Sequence, residues 1–333
     1  MTLIEREKVS RIEDTFRRNF RITQLYALYL ERCPELITAE MVDTLTADGS
    51  LTREQAIGAI LAEAFGLDID KSSEDRILIR DYISRSVRML DAERYINDPY
   101  YKNIKIDNVK EGDWEYRLES YPAYRGVICD DMDIYDDLTE VPPLGFFPKE
   151  FHFPAVLEGG NEWMTLTPVD LDTSREAIEA AHGRVVTFGL GLGYYAYMCS
   201  EKPEVKEITV VERSTDVIRL FKKYILPQFS HPEKVRIIES DAFRYAEADM
   251  PHERYDVAFV DTWRDASDGL PMYERMKPLE ALSPGTKFLY WIERFLISRR
   301  RAIRYGELMD KIDEGAADAP LGAKEFLERL LGQ

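Results

Sequence analysis

Three cysteines and four histidines are all that 333 residues contain. Cys33, Cys129 and Cys199 are widely spaced and form no CxxC pair. Neither a disulfide framework nor a zinc site is therefore expected, and the thiols read as buried and reduced. No apolar run reaches the roughly eighteen residues that a membrane-spanning helix needs, so no membrane association is expected. The opening MTLIEREKVSRIEDTFRRNF lacks an apolar block ahead of small residues; neither a secretory signal nor an anchor is expected, and the chain reads as cytoplasmic. Positive charge is outnumbered, 44 Lys and Arg against 62 Asp and Glu. A formal charge of -18 repels phosphate backbones, which argues against nucleic acid as the main partner. The one basic run, Ser298-Arg299-Arg300-Arg301, reads as a helix start or a solvated face. Internal repeats and low-complexity tracts are missing too.

What is present is a globular composition, 45% hydrophobic and 32% charged, long enough for a main domain and an appended one. Residues 1–96 read as a helical domain. Thr2 with Glu5, Thr38 with Asp43 nearby, and Thr52 with Gln55 resemble capping boxes. Ile57, Ile60 and Leu61, then Ile77, Ile79, Ile83, Val87 and Leu90, form stripes suited to helix packing. Thr44, Thr46 and Asp48 supply too few carboxylates for a calcium loop. Residues 97–173 read as a β-rich connector that covers a pocket, because Trp114, Tyr116 and Leu118 alternate with charged residues and prolines and glycines punctuate short apolar runs. Its acidic cluster, Asp130, Asp131, Asp133, Asp136 and Asp137, lacks the spacing of a cation loop and reads as a solvated turn. No metal is expected.

From 174 to 333 the element types alternate. Strands are expected at 183–188, 207–211, 235–239, 255–260 and 287–292, with helices at 194–200, 215–229 and 241–248, one more before the last strand, and C-terminal helices after it. Such alternation implies right-handed crossovers and an α/β, doubly wound, mostly parallel sheet. Ligands of such sheets lie beyond the strand carboxyl ends, where the winding reverses. The residues there carry chemistry. Gly189-Leu190-Gly191-Leu192-Gly193 follows the first strand, where the chain turns sharply and a ligand approaches the backbone closely. Glu212 closes the second strand, about twenty residues on, where a carboxylate can accept from both hydroxyls of a ribose. Asp241-Ala242 follows the third strand and Asp261 ends the fourth. Each also has a purely structural reading: glycines for the turn, Glu212 and Asp241 as helix caps, Asp261 as a solvated acid.

In this order, the four features resemble the motifs of class I S-adenosylmethionine-dependent methyltransferases over 183–295. The resemblance implies a Rossmann-like domain with S-adenosyl-L-methionine as cofactor. It implies that Gly189, Gly191 and Gly193 border the methionine part and ribose, Glu212 holds the ribose, Asp241 and Ala242 edge the adenine, and Asp261 faces the methyl donor. The expected reaction is methyl transfer to N or O of a small-molecule acceptor, with Asp261 or Asp265 removing a proton. Trp163, Thr165 and Trp263 are candidates for the acceptor pocket, with packing as the plain alternative for the two tryptophans. Residues 210–246 are also similar to the spermidine synthase branch of the same fold, which transfers aminopropyl groups. Here Asp261-Thr262-Trp263-Arg264-Asp265 lacks that branch's acidic spacing and the following proline. The Asn-Pro-Pro-Tyr signature of amino-methylating nucleic-acid enzymes is absent. Gly191-Leu192-Gly193-Tyr194-Tyr195-Ala196 fits the dinucleotide-loop pattern, which keeps a nicotinamide enzyme as an alternative. A third is a non-catalytic module whose helical layer docks a partner or a second copy of the chain. After Ile292 the pattern turns helical, so a sixth and a seventh strand are not expected.

Overall fold

The computed structural model describes residues 3–106 and 108–313 and divides the chain into two compact units. One comprises Met1–Leu90, Ala123–Lys149 and Arg294–Gln333; the other comprises Asp91–Pro122 and Glu150–Glu293. The boundaries expected at 96 and 173 therefore differ from the observed ones: segments distant in sequence share one core.

The first unit is mainly helical. Its helices include Leu3–Arg32, Ala39–Thr46 and Arg53–Ala64. Thr52 and Gln55 form the reciprocal capping box that their spacing predicts, and Thr38 accepts from the Met41 amide. The third expected box falls on Thr2, outside the described residues. Ile22, Tyr26, Ile57, Leu61, Leu78 and Ile83 pack with Leu144 and Phe146 in one buried cluster. Val87, expected on a helical stripe, lies instead in the strand Val87–Met89, which pairs parallel with Leu144–Phe146. The stripe's spacing is helical, but backbone pairing with a segment far along the chain outweighs local periodicity here.

The acidic cluster is a solvated turn only in part: Asp136 and Asp137 are exposed in a turn, but the other three are engaged with the protein. Asp131 is buried and accepts from the Arg294 and Phe295 amides at 3.0 and 2.9 Å, at the start of the helix Glu293–Asp313. Asp130 and Asp133 both pair with Arg88. The basic run lies inside that same helix and not at its start; Ser298 and Arg301 donate to buried Glu140. Cys129 and Cys199 are buried and in no disulfide, as expected, but Cys33 is exposed.

The second unit holds two sheets. The strands Val109–Glu111, Trp114–Tyr121, Phe151–Glu158 and Asn161–Thr165 form an antiparallel sheet in that order, within the span read as β-rich. Five strands form a wholly parallel one: Gly183–Phe188, Val205–Glu212, Val235–Glu239, Val257–Val260 and Lys287–Tyr290. Taken in chain order, they are arranged third, second, first, fourth, fifth. Near-continuous apolar runs such as Val185-Val186 and Val257-Ala258-Phe259-Val260 are fully buried, as parallel strands covered on both faces require. The winding reverses at the first strand, so a crevice opens between the carboxyl ends of the first and fourth strands. After the fifth strand the described chain runs into the helix Glu293–Asp313. Among the described residues no helix is long and apolar enough to cross a membrane.

Candidate functional site

The first strand ends at Phe188, and the next five residues turn the chain into the helix Tyr194–Ser200. The turn needs glycine for conformation and for space. Gly189, Gly191 and Gly193 have φ of 98°, 49° and 75°, a region that residues with a Cβ rarely adopt. A Cβ on Gly189 would lie 1.9 Å from the Asp261 carbonyl oxygen, and one on Gly193 would lie 2.3 Å from the Phe221 ring. These two glycines are therefore filled in by the protein itself: neighbouring backbone at the strand end in one case, the packing of a helix in the other. Gly191 differs. The atom beside it is the Met164 sulfur, 1.9 Å from an ideal Cβ, on a flexible side chain.

Glu212 sits at the end of the second strand and is half-buried. Its Oε2 accepts from the Leu190 amide at 3.1 Å and its Oε1 from the Ser214 amide at 2.8 Å. The carboxylate thus ties the glycine turn to the second strand and is held in one orientation. Each oxygen keeps a further lone pair for a ligand donor. On the adjacent strand end, Asp241 is exposed and caps Ala242–Arg244, accepting from the Arg244 amide at 3.0 Å through Oδ1. Ala242, half-buried, begins that short helix. The capping role considered for Asp241 is thus real.

Asp261 follows the fourth strand. It lines a small cavity with Asp170, Met164, Leu166, Gly189 and Tyr194. Burial, and then the charge of Asp170, push Asp261 up to about 8. Asp170 is itself raised to about 6 by burial, although Thr167 donates to it from its amide at 2.8 Å and its hydroxyl at 2.9 Å. Burial of both carboxyls and their mutual repulsion thus favour proton binding by the pair. The cavity volume is about 20 Å³, room for a water molecule and far less than a nucleoside occupies. Among the described residues no basic side chain lines it.

The remaining expected residues lie elsewhere. Asp265 is exposed and caps the helix Ala266–Met276 in a box with Asp268; burial raises its carboxyl, but hydrogen bonds from Ser267 outweigh this and hold it below the usual value. Trp163 packs edge-on against Trp114 at 5.5 Å, and Trp263 is buried against Tyr290 at 6.4 Å. Neither tryptophan nor Thr165 lines the cavity, whereas Met164 and Leu166 do. The strand Asn161–Thr165 shifts register beside Met164, between Val156 and Leu157 of its partner. Asp170 was missed altogether. Its signal is the sequence Thr167-Pro168-Val169-Asp170, a capping box with proline in the first helical turn, as observed at Pro168–Thr173. No group of three or more His, Cys, Asp or Glu that could hold a metal occurs among the described residues. Compared with known proteins, the chain matches no family model and no curated protein.

Proposed function

We propose that the chain binds S-adenosyl-L-methionine at the carboxyl edge of the parallel sheet and transfers its methyl group to a nitrogen or oxygen of a small-molecule acceptor. The observation that carries this reading is the succession of loops on neighbouring strand ends: the glycine turn, Glu212, then Asp241, beside the point where winding reverses. The residues present fit such a ligand. Glu212 would accept from the ribose hydroxyls through its free lone pairs, and Asp241 with Ala242 would edge the adenine. When bound, the sulfonium supplies the reactivity. Asp261 and Asp170 face the reacting end, and a cation beside them favours their ionised forms. Asp261, once ionised, accepts the proton that an N–H or O–H acceptor loses.

A second reading rests on the same two carboxylates. A cavity with paired acids and, among the described residues, no basic side chain suits a cationic amine, and hence aminopropyl transfer from decarboxylated S-adenosylmethionine. Calorimetric titration separates the readings. Preference for S-adenosylmethionine and S-adenosylhomocysteine supports methyl transfer, and preference for the decarboxylated donor supports aminopropyl transfer. Binding of none of the three leaves a non-catalytic module and sinks both enzymatic readings. In the same titration Glu212→Ala is expected to weaken nucleoside binding by about tenfold or more, since a desolvated carboxylate–hydroxyl contact is worth about 1.5–3 kcal/mol.

A further inference from the structure

Met164 occupies the space beside Gly191 in the glycine turn. Its Sδ accepts from the Leu192 amide at 3.3 Å and sits where a Cβ on residue 191 would be. The cavity beside it, bounded also by Asp261 and Leu190, has a volume of only about 20 Å³. A nucleoside carrying an amino-acid tail therefore has no room along the turn while Met164 is seated there. Glu212 ends the second strand and Asp241 follows the third.

We propose that Met164 decides which adenosyl ligands the site admits: its thioether stands in for the ligand's sulfur-bearing amino-acid tail on the glycine turn, and only ligands that carry that tail must displace it. The inference rests on the adenosyl reading above. Its physical basis is the character of the plug. Methionine is unbranched and polarizable, and its three rotatable bonds let it swing aside without disturbing its neighbours. Its sulfur is a weak acceptor, so the Leu192 N–H gives up little when a better acceptor arrives. Met164 belongs to the edge strand Asn161–Thr165, which is paired on one side only, and its register with Phe151–Glu158 shifts between Val156 and Leu157, next to the residue opposite Met164. A bulged edge strand gives such a side chain more freedom than a central one. Displacement lowers the apparent affinity for a tailed ligand by the fraction of time the turn is open.

The test is calorimetric titration of the full chain and of Met164→Ala with two probes: S-adenosylhomocysteine, which has the tail, and 5′-methylthioadenosine, which lacks the amino-acid carbons. Met164→Ala is expected to bind the first about tenfold more tightly while binding of the second stays within about twofold. Met164→Leu keeps the volume but cannot accept the Leu192 N–H, and is expected to fall between the wild type and Met164→Ala for the first probe. Unchanged or weaker S-adenosylhomocysteine binding by Met164→Ala overturns the proposal, as does an equal gain for both probes, which would signal general loosening. These results leave the adenosyl reading standing if the wild type binds. Failure of both probes with every protein overturns the adenosyl reading itself, and the proposal with it.

Discussion

Asp261 is the side chain on which stability and chemistry meet most directly. Its folded pKa of about 8 lies far above the ordinary value of 3.8, so the folded chain holds a proton that the unfolded chain releases. Whatever stability this proton confers is fully present below about pH 4 and is lost as pH rises through about 8. Asp261→Asn removes the titration. Thermal unfolding followed from pH 4 to pH 9 is expected to show a flatter profile for the variant, with a higher Tm than the wild type at the alkaline end. Parallel profiles would mean that another group carries the alkaline loss. At Gly189 the argument is steric. A methyl group there meets backbone oxygen and a φ of 98°, so Gly189→Ala should destabilise the fold by about 3 kcal/mol in denaturant unfolding. A change under about 0.5 kcal/mol would show that the turn relaxes freely.

Among the elements, the helix Glu293–Asp313 shows how a carboxylate that looks like surface becomes structural. Its first amides would lack partners without Asp131, which accepts from two of them. Asp131→Ala should cost about 1–2 kcal/mol of stability, and a loss within experimental error would show that water replaces the cap without penalty. Sequence alone revealed neither this contact nor the strand Val87–Met89, because the partners lie in segments more than fifty residues away. The parallel strands were legible for the opposite reason. Apolar runs bounded by glycine, proline and acidic residues state their own ends: Gly183–Phe188 and Val235–Glu239 were read to the residue. The places of Glu212, Asp241 and Asp261 at strand ends were legible, because the apolar runs mark those ends. That Met164 lines the cavity while Trp163 packs on Trp114 was not, because it depends on long-range packing.

For the molecule as a whole, the first unit is discontinuous in sequence. Residues 1–90 share a buried cluster with Tyr124, Val141, Leu144 and Phe146. A fragment of residues 1–96 exposes that cluster and deletes the pairing partner of Val87–Met89. It should therefore lack a cooperative unfolding transition in circular dichroism, whereas a sharp transition would make it an autonomous helical domain.

The central claim is that an adenosyl nucleoside lies across the carboxyl ends of the first three parallel strands. Hydrogen exchange of the full chain with and without S-adenosylhomocysteine reads those ends simultaneously. The account predicts slowed exchange at 189–193, 212–215 and 241–244 together. No change on adding the ligand, or slowed exchange confined to other segments, would contradict it.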